Sequence, residues 1–136
     1  MTTLYLDTNI IIYATEDSKN LFGKDISASS SELLFDVVSC KYHIIVSDWL
    51  LEELSGLRKL EQASMLFKML KPKTRRVSYS QKDIAMAKQQ NPDNFKDELH
   101  AILAIKSGAD YIVTRNINDF KHLKDKIKIV KPEDLF

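Results

Sequence analysis

Asp7 stands where the apolar segment Leu4-Tyr5-Leu6 gives way to Thr8-Asn9 and a second apolar run, Ile10-Ile11-Ile12. A carboxylate at the point where a buried strand stops and a helix begins has no packing reason to be there. In open α/β sheets that rim, outside the carboxyl ends of the strands, is where ligands bind. Glu53, Asp97 and Asp119 fall at similar junctions further along the chain. Carboxylates converging on one cleft repel one another and raise their own pKa values unless a cation sits among them. The pattern points to a divalent-metal site for a hard, oxygen-preferring ion, Mg²⁺ or Mn²⁺. Each residue also has a plainer explanation. Asp7-Thr8-Asn9 suits a helix N-cap, and Glu53 an exposed helix face. Asp97 suits a first helical turn, where the dipole favours an acid, and Asp119 a turn. Only the joint pattern argues for chemistry.

Alternating strands and helices must position these residues. Strands are expected at Thr3 to Leu6, His43 to Val46, Arg76 to Tyr79, Asp110 to Thr114 and Lys128 to Val130. Helices are expected over Asn9 to Thr15, Ile26 to Cys40 and Asp48 to Ser55, the last capped by Ser47. A further amphipathic helix runs from Lys59 to Leu70, with Leu60, Ala63, Leu66, Phe67 and Leu70 on one face, and Pro72 explains its end. Ser80-x-x-Asp83 reads as a capping box for a helix ending near Gln90. Asn91 to Asn94 reads as a loop, and Phe95 to Ser107 as a helix closed by Gly108. Pro132 can open a final helical turn. Strands separated by helices imply βαβ units and a mainly parallel sheet. The fold class is therefore α/β, with a central sheet of four to five strands in three α/β/α layers. Right-handed crossovers would bring the strand-to-helix junctions to one rim.

Composition bounds the function. At 136 residues the chain is expected to form a single domain over 1–136. Its 44% hydrophobic and 29% charged content suits an ordinary globular protein, and a net charge of +1 excludes a strongly basic nucleic-acid tail. The single cysteine, Cys40, reads as a buried thiol and fits a reducing, cytoplasmic setting. No apolar run approaches the roughly twenty residues that span a bilayer, and the N-terminus lacks a signal peptide's basic region. Basic side chains cluster at Arg58-Lys59, at Lys68 through Arg76, and along Lys121, Lys124, Lys126, Lys128 and Lys131. They suit either an RNA backbone or a solvated face. Trp49, Met65, Phe67 and Met69 suit either core or a partner surface.

Leu6-Asp7-Thr8-Asn9, then Ser47 through Glu53-Leu54, then Asp97-x-x-His100 with Ala101 and Ala104, and finally Gly108 through Asp119-Phe120 resemble, in that order, the PIN domain. Stand-alone chains of this size are similar to VapC-type toxins of toxin–antitoxin pairs. The resemblance implies metal-dependent cleavage of RNA phosphodiesters leaving 5′ phosphates, a cognate antitoxin and frequent homodimers. It makes Asp7, Glu53, Asp97 and Asp119 the catalytic acids. Asp7 and Asp97 would hold the metal directly, with Glu53 and Asp119 acting through water or at a second ion. Asn9, Thr114 and Asn116 would support the site, and Arg115 would meet a substrate phosphate. Many relatives carry aspartate where this chain has Asn116. Glu52 competes with Glu53 as the residue facing the site, and the following leucine favours Glu53. His100, among apolar neighbours, reads as a satisfied buried histidine, and His43 and His122 lack ligand spacing.

Other classes fit less well. With only Gly23, Gly56 and Gly108, the chain has neither a dinucleotide-binding fingerprint nor a P-loop. A dehalogenase-like phosphatase expects a second aspartate where Asn9 stands. A PIN-like module that binds RNA or protein without cutting is the non-enzymatic alternative.

Overall fold

Five short segments form one parallel sheet in this computed structural model, which describes residues 2–15, 41–123 and 125–135. They are β1 (Thr3–Leu6), β2 (His43–Ser47), β3 (Thr74–Val77), β4 (Tyr111–Val113) and β5 (Lys128–Val130). The helices are α1 (Thr8–Thr15), α2 (Asp48–Gly56), α3 (Leu60–Leu70), α4 (Gln81–Gln90), α5 (Phe95–Lys106) and the single turn α6 (Ile117–Phe120). The sheet order is β3-β2-β1-β4-β5, and every neighbouring pair is parallel.

The apolar runs of β1, β2 and β4 are continuous because both faces of the sheet are covered. Successive side chains point to opposite faces. Leu4, Leu6, Ile44, Val46 and Val113 therefore pack with Ile10, Ile11, Leu50, Leu54 and Ala63 of α1, α2 and α3. Tyr5, Ile45 and Ile112 pack on the other side with Ala87, Leu99, Leu103, Ala104 and Phe120 of α4, α5 and α6. The three expected α/β/α layers are present.

Local signals fix the helix ends. Ser47 Oγ accepts the Leu50 N–H at 3.0 Å and caps α2. Ser80 and Asp83 form the reciprocal capping box of α4. Gly108, at φ 77°, ends α5 in the left-handed region that a side chain would disfavour. Two expectations shift. The third strand covers Thr74–Val77 rather than Arg76 to Tyr79, because its register pairs Ile44 with Thr74 through Ser47 with Val77. Tyr79 leaves the sheet, and its hydroxyl donates to Glu52. The loop at Asn91 to Asn94 contains a 3₁₀ turn, Pro92–Asn94, and Pro132 opens the expected last turn, Pro132–Leu135. The expected Ile26 to Cys40 helix, Cys40 itself, the polar Glu16 to Asp25 stretch with Gly23, and Lys124 lie outside the described residues. So do the side chains of Met65, Leu66, Met69 and Leu70.

The strand order places the site. The chain passes from β1 outward through β2 to β3, then returns to the other side of β1 for β4 and β5. Direction reverses between β1 and β4, and the carboxyl ends of two such strands form the ligand crevice of an open parallel sheet.

Candidate functional site

Leu6 pairs with Val113 in register, so Asp7 and Thr114 emerge side by side at the reversal point. The Asp7 backbone N–H still donates to Val113 O at 3.0 Å, which extends the ladder by one residue. The carboxylate is buried, at 5% exposure, and is held at both oxygens. Oδ1 accepts the Thr8 N–H at 2.8 Å, and Oδ2 accepts the Thr114 hydroxyl at 2.8 Å. Asp7 is thus a side chain of fixed orientation at the sheet's rim as well as the residue leading into α1.

Glu53 faces this carboxylate from α2. Its Oε1 accepts the Thr8 hydroxyl at 3.0 Å and is hydrogen-bonded to His100 Nε2. Glu52 points elsewhere, to Tyr79. Of the two, Glu53 is the one bonded to Thr8 and His100, because adjacent helical residues point about 100° apart. Burial pushes the Glu53 acid up. Hydrogen bonding and electrostatic attraction from His100, the Thr8 hydroxyl and Lys96 outweigh it, and the net pKa lies below the ordinary value. Glu53 also lines a cleft of about 360 Å³ with Trp49, Glu52, Leu57 and Lys96.

Asp97 comes from a helix–helix junction rather than a strand end, in the first turn of α5, where Asn94 Nδ2 donates to its Oδ2 at 2.8 Å. Burial raises its pKa and the Asn94 bond lowers it. The charges of Asp7 and Asp119 push it up further, and the net shift is upward. Asp119 is exposed on α6. Asp97 thus lies in the field of the two other acids assigned to a metal. Among the described residues, no three Asp, Glu, His or Cys side chains stand close enough to hold an ion together. The donor chemistry nevertheless fits a hard cation. The acids offer oxygen alone, Asp97 is penalised for its charge by its neighbours, and Asn9 Oδ1 is a buried acceptor with no hydrogen-bond partner among the described residues.

No protein-family model and no curated protein matches the sequence. Solved structures do match in shape. A chain in the crystal structure of VapBC2 from Rickettsia felis, bound to a DNA fragment from their promoter, superposes with a TM-score of 0.61 at 21% identity, covering 94% of this chain and 97% of that one. A chain of VapBC-1 from nontypeable Haemophilus influenzae superposes with a TM-score of 0.60 at 20% identity, covering 97% and 99%. The fold is PIN-like.

Within this PIN-like fold the sequence-read residues divide clearly. Asp7, Glu53 and Thr114 form one bonded group through Thr8, and Asp97 and Asp119 join it electrostatically. Asn116 donates its backbone N–H to Thr114 Oγ1 at 3.0 Å, so it shapes the loop through its main chain. Arg115 is half-buried beside Thr114. His100 is buried and fully engaged, as its apolar neighbours suggested. Arg75 and Arg76 lie on edge strand β3, bonded to Ser107 O and Asp48 respectively. Trp49 and Phe67 pack against the core. Sequence reading missed two participants. Tyr5 looked like strand filler, although a buried phenol needs a hydroxyl partner. Glu98 is buried against His122 at 2.7 Å, and its acid among apolar residues was the available signal. No helix among the described residues is long and apolar enough to cross a membrane.

Proposed function

We propose that this protein is a divalent-metal-dependent endoribonuclease and the toxin of a type II toxin–antitoxin pair. The observation that carries the reading is Asp7, clamped at the sheet's reversal point by Thr8 and Thr114, with Asp97 held in its field. Asp7, Asp97 and Asp119 would hold Mg²⁺ or Mn²⁺, with Asn9 supporting the site. When bound, such an ion stabilises charge on phosphate oxygens and acidifies water for hydrolysis.

The chain's own residues do the rest. Thr8 and Thr114 keep the Asp7 oxygens in one orientation, so no reorganisation is needed when substrate arrives. Glu53, kept ionised by its partners, presents an acceptor beside Asp7 that can orient a water or take its proton. Arg115 and Lys96 supply positive charge for a phosphodiester backbone. The choice of RNA rests on the sequence resemblance. The kinship of fold with the VapBC structures supports a cognate antitoxin, the resemblance supports a homodimer, and the single cysteine supports a cytoplasmic setting.

The test is incubation of the purified protein with end-labelled RNAs in Mg²⁺, Mn²⁺ or chelator, followed by mapping of the cut ends. Metal-dependent cuts leaving 5′ phosphates, lost in Asp7→Asn, are expected. Cleavage that survives chelation or the substitution overturns the assignment. RNA binding without cleavage would favour the non-catalytic module instead.

A further inference from the structure

Tyr5 lies in the middle of β1 with no exposed surface, yet its hydroxyl is 2.7 Å from Ser47 Oγ and 2.6 Å from His100 Nδ1. The other edge of the imidazole is equally occupied. His100 Nε2 reaches Glu53 Oε1, and lies 3.3 Å from Thr8 Oγ1 and 3.9 Å from Asp7 Oδ1. A continuous polar chain therefore crosses the apolar layer, from the cap of α2 through Tyr5 and His100 to the carboxylate on that same helix. Buried polar side chains are retained when every member is satisfied, and such a network then fixes one arrangement.

We propose that His100 is the positioning residue of this site: gripped at Nδ1 by the Tyr5 hydroxyl, it donates Nε2–H to Glu53 and fixes that carboxylate beside Asp7. The functional half rests on the nuclease reading; the structural half does not.

The proton's place follows from the partners. As a carboxylate Glu53 can only accept hydrogen bonds, and its Oε1 lies between the Thr8 hydroxyl and His100 Nε2. A bare Nε2 facing it would set two lone pairs against each other. The Thr8 hydroxyl proton is already committed to the same oxygen. Nε2 must therefore carry a hydrogen. The Tyr5 hydroxyl can either donate to Nδ1 or accept from it. The ring orientation is the same in both cases, and only the neutral Nδ1–H tautomer is excluded. A histidine that merely filled space would make no such demand. Leucine would replace it without disturbing Glu53.

Nitrogen–proton correlation spectra of the ¹⁵N-histidine-labelled full chain test the structural half. The protein has three histidines, and His100→Gln identifies the signal. Protonation at Nε2 is expected in the wild type, with that signal displaced in both Glu53→Gln and Tyr5→Phe. A neutral Nδ1–H tautomer, or a signal indifferent to Glu53→Gln, overturns the proposal. For the functional half, glutamine can set its amide nitrogen where Nε2 stood and donate to Glu53, whereas leucine cannot. His100→Leu is expected to lower kcat for metal-dependent cleavage on the order of 10–100-fold, as loss of such supporting partners does elsewhere. KM should change little, and His100→Gln should recover most of the loss. Equal activity in the two variants overturns the positioning role. If the wild type cuts no RNA at all, the nuclease reading fails while the spectra still decide whether His100 holds Glu53.

Discussion

Thr114 Oγ1 donates a 2.8 Å hydrogen bond to Asp7 Oδ2, joining two strand ends that lie 107 positions apart in the chain. The same oxygen accepts the Asn116 N–H at 3.0 Å. The Asp119 N–H in turn donates to Asn116 O at 3.1 Å. One small side chain thus holds the first acid and starts the turn that carries the last. The central pairing of β1 with β4 makes this possible, because register alone brings the two residues level.

Thr114→Val nearly keeps the shape and removes both bonds. It leaves a buried carboxylate oxygen and a main-chain N–H short of partners, a loss of about 1–3 kcal/mol. Urea unfolding should show that loss, with Thr114→Ser close to wild type because the hydroxyl remains. Cleavage should fall in the valine variant even where it is fully folded. A valine variant as stable as the wild type would mean that water replaces the hydroxyl at no cost.

Asp97→Asn separates function from stability. The folded pKa of Asp97 is raised, first by burial and then by Asp7 and Asp119, against the Asn94 bond. Its contribution to stability is therefore complete below the unfolded pKa and is lost as pH rises through the folded one. At neutral pH the ionised side chain is a burden that the amide lacks. The metal-free variant should be at least as stable as wild type in thermal melts, yet without nuclease activity. Manganese should raise the wild-type Tm, since a ligand at 100 times its Kd contributes about 2.7 kcal/mol. The variant should lose most of that increase. An equal increase in both proteins would remove Asp97 from the metal site.

What the sequence could reveal depended on whether the signal was local. Asp7 was legible because an acid directly after Leu4-Tyr5-Leu6 violates the strand's own pattern. The caps at Ser47 and Ser80 were legible for the same reason, since each bond spans only three residues. Thr74 to Val77 was not, because an edge strand carrying Arg75 and Arg76 has no apolar alternation, and only pairing with β2 defines it. The Tyr5–His100 contact joins residues 95 positions apart. No spacing rule encodes it; the sheet's strand order does.

Asp83 gives a pH prediction away from the site. Burial raises its acid, but the hydrogen bond and charge of Lys106 and the bonds from Ser80 win, so its pKa lies below the ordinary value. With a depressed folded pKa, its stabilisation is complete above the unfolded value, about 3.9, and is lost as pH falls through the lower folded one. Asp83→Ala should cost about 1 kcal/mol at neutral pH, the size of a capping-box contribution. Wild type and variant melts should converge as the pH drops below the carboxylate range. A gap that persists in acid would assign the effect to packing instead.

Glu98 and His122 offer the sharpest test of how the last acid is held. Glu98 is 3% exposed in the first turn of α5, next to Asp97, and His122 Nε2 meets its Oε2 at 2.7 Å. His122 belongs to the 3₁₀ turn that directly follows α6 and Asp119. The pair therefore ties the Asp119 turn to the helix bearing Asp97, although neither member faces the cleft beside Glu53. His122→Ala leaves a buried carboxyl without this partner and should cost about 1–3 kcal/mol. Glu98→Gln should cost less, because the amide oxygen can still accept. In the double variant the losses should fall short of their sum, since each removes the same contact. Cleavage should drop with His122→Ala under conditions where the protein remains folded, because Asp119 loses its tether to α5. Strict additivity of the two stability losses, with full activity in both single variants, would show that the turn is held by Phe120 in the core alone.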